Sequence, residues 1–393
     1  MLPLFLLAII AWGPGGGDSL LERGLVALQH GQLTDARKDF ELASQVEPRN
    51  PYVWSSLAET YWRLKLPAQA SAAAKTAEKT GAENPIVCHA LAMFYSESGQ
   101  PGTAAEWEQR FAESPRADRD ALTRTASLYL DAGDAKRAVT FAQEAISQRS
   151  SPESEDLLGR ALFADGQSAE AEKHLASAWL QSKTDPHISF DFAQALLRRQ
   201  DFTQAADVIG AALTAHPENA QLVLGLGVAR YGQRRFDEAL TAFLKVIKLD
   251  PAVAQPYIFI GRMLKQAGPH LAEITNAYEN WAARNPEDAK AQLLLAKVLL
   301  VQDHSSRRAE SLLRHSLTLN DKDWEAHYEL GALLENLHQY QEASAELMHS
   351  LELNPNEPMP HYHLARVYDR LGQPDRATAE RELHRRLTAP KSP

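Results

Sequence analysis

Residues 226–251 read LGVARYGQRRFDEALTAFLKVIKLDP, and the fold turns on five of them. Leu226 and Gly227 come first, Ala239 stands twelve residues beyond Gly227, Phe243 four beyond Ala239, and Pro251 closes the stretch. A step of four keeps Ala239 and Phe243 on one face of a helix. Gly227 and Ala239 are small enough to let two helices lie close together, and Phe243 fills the seam beside them. Working outward in both directions, the Gly227 position returns as Gly24, Ala58, Ala92, Ala126, Gly159, Ala193, Gly261, Ala296, Gly331 and Ala365. The steps are 34 residues, apart from one of 33 and two of 35. A tandem array with this period is built from one helical pair per repeat.

The Ala239 position returns as Ala36, Ala70, Ala104, Ala138, Ala171, Ala205, Ala343 and Ala377. In the two repeats behind the 35-residue steps it is displaced by one, to Ile274 and Ala309. The extra residue is therefore expected in the turn between paired helices, around Gly268-Pro269-His270 and Asp303-His304-Ser305-Ser306, where it disturbs no packed face. The Phe243 position returns as Phe40, Leu175, Ile209, Tyr278, Leu313 and Leu347. Glu108 breaks this series in the third repeat, flanked by Trp107 and Phe111, and predicts a rotated second helix there. Neither helix of a pair can bury its apolar face alone, so neighbouring pairs must stack.

Trp54-x-x-Leu57-Ala58-x-x-Tyr61 with Ala70, and Leu226-Gly227 with Ala239-x-x-x-Phe243 and Pro251, closely resemble the tetratricopeptide repeat. Pro48, Pro217, Pro251, Pro286 and Pro355 stand where that family closes a repeat. The resemblance covers residues 17–387 as eleven units. It implies an all-α chain, an α-solenoid that winds helix-turn-helix repeats into a right-handed superhelix with the first helices on its inner surface. A single domain over residues 18–387 is expected, because the lattice leaves no linker in which to divide it.

Composition adds limits. Apolar residues at 44% and charged residues at 23% describe an ordinary folded chain. The net charge of −10 argues against nucleic acid as a ligand, since a phosphate-tracking surface is normally basic. The single cysteine, Cys88, excludes an intramolecular disulfide and any multi-cysteine metal site, and reads as a small buried core residue.

Met1 to Trp12 is an apolar run followed by Gly13-Pro14-Gly15-Gly16-Gly17. It is too short to cross a bilayer as a helix but suits the core of a secretory signal peptide, which predicts residues 1–17 as a signal and an exported protein, periplasmic or secreted. No Lys or Arg precedes the run, and Pro14 crowds a cut after Gly13. An uncleaved anchor, the one expected membrane contact, and a misassigned start codon that leaves the protein in the cytoplasm therefore stay open. Ser19-x-x-Glu22 reads as a capping box that opens the first helix. At the other end Arg381 and His384 take positions that are apolar in interior repeats, as a last helix with nothing stacked on it requires. Residues 388–393 are expected to form a short disordered tail, and no stretch outside the lattice has the length of a catalytic domain.

In the resembled family the inward side chains of a first helix lie three before, one after and four after the small lattice residue. Carried onto this chain, these positions mix aromatic, aliphatic and charged groups, as a peptide-binding surface requires, because apolar contacts supply affinity and polar ones fix register. The candidate partner-binding residues are Trp62, Arg198, Tyr231, Arg262, Lys265, Lys297, Tyr328, Tyr362, Arg366 and Arg370. Glu59, Asp131 and Asp156 gather toward the start of the array, and Arg262, Lys265, Lys297, Arg366 and Arg370 toward its end. The later half is thus expected to hold an acidic or carboxylate-bearing segment; solvated charge without a fixed partner is the plain alternative. The carboxylate clamp of co-chaperone relatives needs Lys in the first of these position sets and Asn in the second, and this chain has neither.

Catalytic signatures are missing from the sequence. There is no Gly-x-x-x-x-Gly-Lys-Ser/Thr, and Gly225-x-Gly227 lacks a third glycine and follows no strand. His361-x-His363 aims its rings about 200° apart around a helix, and His-Glu-x-x-His does not occur. The fourteen histidines are read as surface residues, with no metal and no cofactor. The expectation is a non-enzymatic protein–protein interaction scaffold that binds a partner protein or peptide in a concave groove, serving cell-envelope assembly or secretion if the N-terminus is a signal. The alternative is a helper in polysaccharide export that stacks glycan or lipid-linked sugar on groove aromatics.

Overall fold

The structure, a computed structural model, describes residues 20–389; the apolar run, the Ser19 cap and the last four residues lie outside them. Helices come in pairs. In the first repeats α1 (Leu20–Gln29) pairs with α2 (Leu33–Val46), α3 (Pro51–Arg63) with α4 (Pro67–Gly81), and α5 (Pro85–Glu97) with α6 (Pro101–Ala112). They are followed by α7 (Ala121–Asp131) with α8 (Ala135–Gln148), α9 (Pro152–Ala164) with α10 (Ser168–Gln181), and α11 (Pro186–Arg198) with α12 (Phe202–Ala215). The later pairs are α13 (Ala220–Gly232) with α14 (Phe236–Leu249), α15 (Gln255–Arg262) with α16 (Leu271–Arg284), and α17 (Ala289–Gln302) with α18 (Arg307–Leu319). Last come α19 (Trp324–Asn336) with α20 (Tyr340–Leu353), and α21 (Pro358–Arg370) with α22 (Pro374–Thr388). No strand occurs among the described residues. The chain is an all-α solenoid of helical pairs, and the pairs fall on the lattice read from the sequence.

Local chemistry sets the helix ends. Asn50, Asn84, Asn219, Asp288 and Asp323 each cap a first helix by accepting a bond from its opening backbone N–H groups. Pro51 and Pro85 follow two of these caps, where a missing N–H costs nothing. Each repeat except that of α17 has a left-handed residue seven beyond its small lattice position, Gly31, Lys65, Gly99, Gly133, Gly166, Gln200, Arg234, Gly268, His338 or Gly372, and in all but that of α15 it closes the first helix. At Lys65 the backbone N–H bonds Trp62 O at 2.9 Å and the next N–H, of Leu66, bonds Tyr61 O at 2.9 Å. This Schellman arrangement satisfies the last carbonyls and reverses the chain in three residues.

The two longer repeats take up their extra residue differently. In one, α15 stops at Arg262 and the chain runs through two 3-10 turns, Leu264–Gln266 and Gly268–His270. In the other, α17 gains a residue and its turn has no left-handed residue, Asp303 having φ −142°. The insertions do reach the turns, and they also reshape the end of the first helix.

The described residues group into two compact units, one ending at Ala195 and the other beginning at Leu196, so that the division falls within α11. In the first unit Phe40, Leu57, Ala58, Ala74 and Leu91 are among the buried core side chains. In the second, Phe243, Tyr257, Tyr278, Leu313 and Leu347 are fully or almost fully buried. Each of the leucines and phenylalanines among them contributes about 1.5–3 kcal/mol by leaving water. The rotation expected of α6 does not occur. Ala104, Trp107 and Phe111 keep their buried places, and Glu108 is 1% exposed at the lattice position. Its carboxylate is tolerated there because both oxygens are met, one by His89 Nδ1 at 2.7 Å and the other by Arg124 Nε at 2.8 Å.

Candidate functional site

Within the first unit α1 touches α3, α3 touches α5 and α7 touches α9; within the second, α15 touches α17, α17 touches α19 and α19 touches α21. Second helices approach one another less, chiefly α14 and α16. First helices are therefore the more closely spaced layer, and their free faces form the inner side of each unit. Side chains on that side have no second helix to cover them, so whatever chemistry they carry is offered to a ligand.

In the second unit the inner face is a lattice of ion pairs rather than a field of free cations. Lys297 of α17 pairs with Glu325 of α19 and stands 3.9 Å from Glu329. Lys290 reaches the other oxygen of Glu325 at 2.7 Å. Burial pushes the Glu325 carboxyl up, but Lys297 and Lys290 outweigh it and hold the group below the usual carboxylate range. Glu329, with burial dominant, Lys297 opposing it and Glu325 adding repulsion, is held above that range. One helix further on, Glu335 accepts from His363 Nδ1 at 2.6 Å and pairs with Arg366 Nε at 3.0 Å. Tyr328 and Tyr362 both set their rings against His363, at 5.7 and 5.4 Å between centroids.

The expected site residues separate on these grounds. Lys297 and Arg366 are committed to glutamates, which the charge reading from sequence did not foresee. Arg262 lies over the Phe259 ring at 5.8 Å, and Lys265, Arg262 and Arg370 are exposed. Tyr231 packs edge-on against Phe236 and Phe259, and Tyr328 is half-buried, whereas Tyr362 is 43% exposed. Arg198 is exposed near the end of α11. In the first unit Trp62 is half-buried, edge to face with Phe94 at 6.1 Å.

Sequence reasoning missed two features of the first unit. One is a cleft between α5 and α7 of about 370 Å³, lined by His89, Met93, Ser96, Glu97, Ser127 and Asp131 among others. Glu108 at its base was the visible signal. The other is the pair Asp156 and Asp191, on α9 and α11. Asp156 is buried and its Oδ1 has no hydrogen-bond partner. Burial and the neighbouring Asp191 charge raise its carboxyl to about 7, against the pull of Arg160. Burial likewise raises Asp191, with Arg160 opposing.

The surface reading of the histidines holds for His30, His187, His216, His304, His315, His338 and His349, which are exposed, and fails for two. His327 and His361 are 7% and 6% exposed; each holds a second-helix glutamate, Glu346 and Glu380, at 2.6 Å. Both pairs span 19 residues, and Glu155 with His174 makes the same bond at 2.7 Å with the partners exchanged. A buried imidazole is stable here because a carboxylate answers its N–H. Cys88 is buried as expected, and its thiol donates to Ala82 O at 3.3 Å.

Profiles of the tetratricopeptide repeat match residues 21–85, 190–254, 325–357 and 346–379. The chain is a tetratricopeptide repeat protein. Its repeat fold is that of a protein-interaction scaffold. Over 228 residues it is 25% identical to human Protein O-mannosyl-transferase TMTC1, an alignment that takes in 56% of this chain and 25% of that protein. The tetratricopeptide repeat chain thus spans about a quarter of the length of that relative. Among solved structures it is similar to yeast Tom70, with 14% identity, 94% of this chain and 92% of that chain covered, and a TM-score of 0.41. It is also similar to the APC/C hetero-tetramer Cut9–Hcn1, with 14% identity, coverage of 97% and 95%, and a TM-score of 0.45.

Proposed function

We propose that the inner face of the second unit binds an extended segment of a partner protein, and that the chain carries out no chemistry of its own. The observation that carries this reading is the commitment of side chains on that face. Glutamates fix Lys297, Lys290 and Arg366 in place, which leaves two exposed cations: Arg262, one residue beyond Gly261 and over the Phe259 ring that packs on Tyr231, and Lys265, four residues beyond Gly261 in the following 3-10 turn. Aromatic rings supply contact area at low entropic cost, and nearby cations select for acidic side chains on the partner. The helices of the described residues all belong to the repeat lattice, which supports a scaffold rather than a catalyst.

Affinity capture with the full chain tests the reading. A protein retained by the wild type is expected to be lost about tenfold or more with Arg262→Glu and Lys265→Glu together, since charge reversal replaces attraction by repulsion. Equal retention of every captured protein by both chains would overturn it.

A further inference from the structure

The cleft between α5 and α7 carries a charge pattern that the reading above leaves unused. Its cation and its imidazole are already committed: Arg124 bonds Glu108 and Asp118, at 2.8 and 3.0 Å, and His89 bonds the other Glu108 oxygen at 2.7 Å. Glu97 and Asp131, both exposed, take no hydrogen bond or ion pair from the described residues. Each is the last residue of its helix, α5 and α7 respectively. The C-terminal end of a helix already presents unpaired carbonyl oxygens and partial negative charge, so a carboxylate there is repelled by about 0.3–1 kcal/mol. Two such ends open on one cleft. The field reaches further, since Glu97 adds to the burial that holds the Glu59 carboxyl above its ordinary range, against the pull of Arg63. The cleft is also lined by the apolar side chains of Leu128 and of Met93, which is 54% exposed, with the small hydroxyls of Ser96 and Ser127 beside them.

An acidic mouth over apolar groups suits a side chain with a charged head on an aliphatic stem. We propose that this cleft takes a lysine or arginine side chain from an extended segment of a partner protein, with its stem on Met93 and Leu128 and its head between Glu97 and Asp131. The incoming cation answers both carboxylates and both helix ends at once. The cleft volume also accommodates the backbone on either side of that residue. The proposal extends partner binding to the first unit, where the partner supplies a basic element.

A fluorescein-labelled pentapeptide, Gly-Leu-Lys-Leu-Gly with blocked ends, tests it by anisotropy against the full chain, beside the same peptide with norleucine for lysine. The lysine peptide is expected to bind about tenfold or more tightly than the norleucine peptide, and to lose that advantage with Glu97→Gln and Asp131→Asn together. Neutralising Glu83 and Glu144 instead, at exposed positions away from the cleft, makes the same change in net charge and is expected to leave binding intact. The Glu97 and Asp131 variant should melt no lower than the wild type, because it removes two unfavourable charges at helix ends. Equal binding of the two peptides, equal binding by the neutralised cleft, or no binding at millimolar peptide would each overturn the assignment. The Arg262 and Lys265 variant is read separately, so such a result would leave the second-unit reading standing.

Discussion

A Cβ atom on Gly227 would stand 2.6 Å from Cε1 of Phe243, sixteen residues further along the chain. The same exclusion recurs in other repeats, with Gly24 against Phe40, Gly159 against Leu175, and Gly331 against Leu347. Where the lattice residue is Ala58 or Ala126, its partner sixteen residues on is Ala74 or Ala142. In each case the lattice residue is small, because the two helices of a repeat lie close together there. Gly227→Ala is therefore expected to lower stability by about 1–3 kcal/mol, and to cost little in a Phe243→Ala background. A double-mutant melting cycle reads the coupling; additive losses would mean that the two residues do not compete for one space.

The histidine–glutamate bonds between paired helices predict a tolerated exchange. His361→Ala or Glu380→Ala leaves a buried polar partner unmet and is expected to cost about 1–3 kcal/mol. His361→Glu with Glu380→His should recover most of that loss, since Glu155 and His174 already make the bond in the reversed sense. For His327, burial pulls the imidazole down, but Glu346, the Asp321 carbonyl and nearby carboxylates outweigh it and hold the pKa above the ordinary value. A raised histidine stabilises fully below the unfolded value and loses that contribution as pH rises through the folded one. Melting of a His327→Gln chain should then differ from the wild type more at pH 6 than at pH 9.

Asp156 predicts a pH dependence in the first unit. Its folded carboxyl, at about 7, lies above the unfolded value of 3.8, so the folded state holds the proton more tightly. Stability from this group is full below the unfolded value and is lost as pH rises through about 7. Asp156→Asn removes the repulsion from Asp191 without changing shape. It should raise the melting temperature at pH 8, on the order of 1–3 kcal/mol of stabilisation, with the gain shrinking steadily toward pH 4. A gain of the same size at both pH values would contradict the shared burial of the two carboxylates.

Arg234 holds φ at 60° in the turn after α13, a conformation that glycine adopts freely in the equivalent turns at Gly99 and Gly372. Arg234→Gly is expected to stabilise the chain by about 0.5–1 kcal/mol by relieving the left-handed strain. Chemical denaturation would show it as a raised midpoint at unchanged slope.

The helical pairs were legible in the sequence because each small lattice residue meets a neighbour at van der Waals contact, and size is written directly in residue type. Ala36, Ala70, Ala104, Ala239 and Ala343 are all fully buried. The histidine struts were misread as surface residues: His327 and His361 sit four before their lattice residue and Glu346 and Glu380 fifteen after, but the exchange of partners in Glu155 and His174 hid the pattern. The charge lattice was not. Lys297 meets Glu325 across 28 residues and Glu335 meets His363 across another 28. Which cation finds which carboxylate depends on how closely two first helices stack, and no local pattern encodes that spacing.

Site-specific photo-crosslinking measures the central claim most directly, with benzoylphenylalanine placed in turn at four exposed positions of the full chain. Met93 and Tyr362 belong to first helices, and Val46 and Leu180 to second helices. Recognition on the inner faces predicts a saturable adduct with a protein partner from Met93 and Tyr362 and none from Val46 or Leu180. Adducts confined to Val46 and Leu180, or equally strong from all four positions, would contradict it.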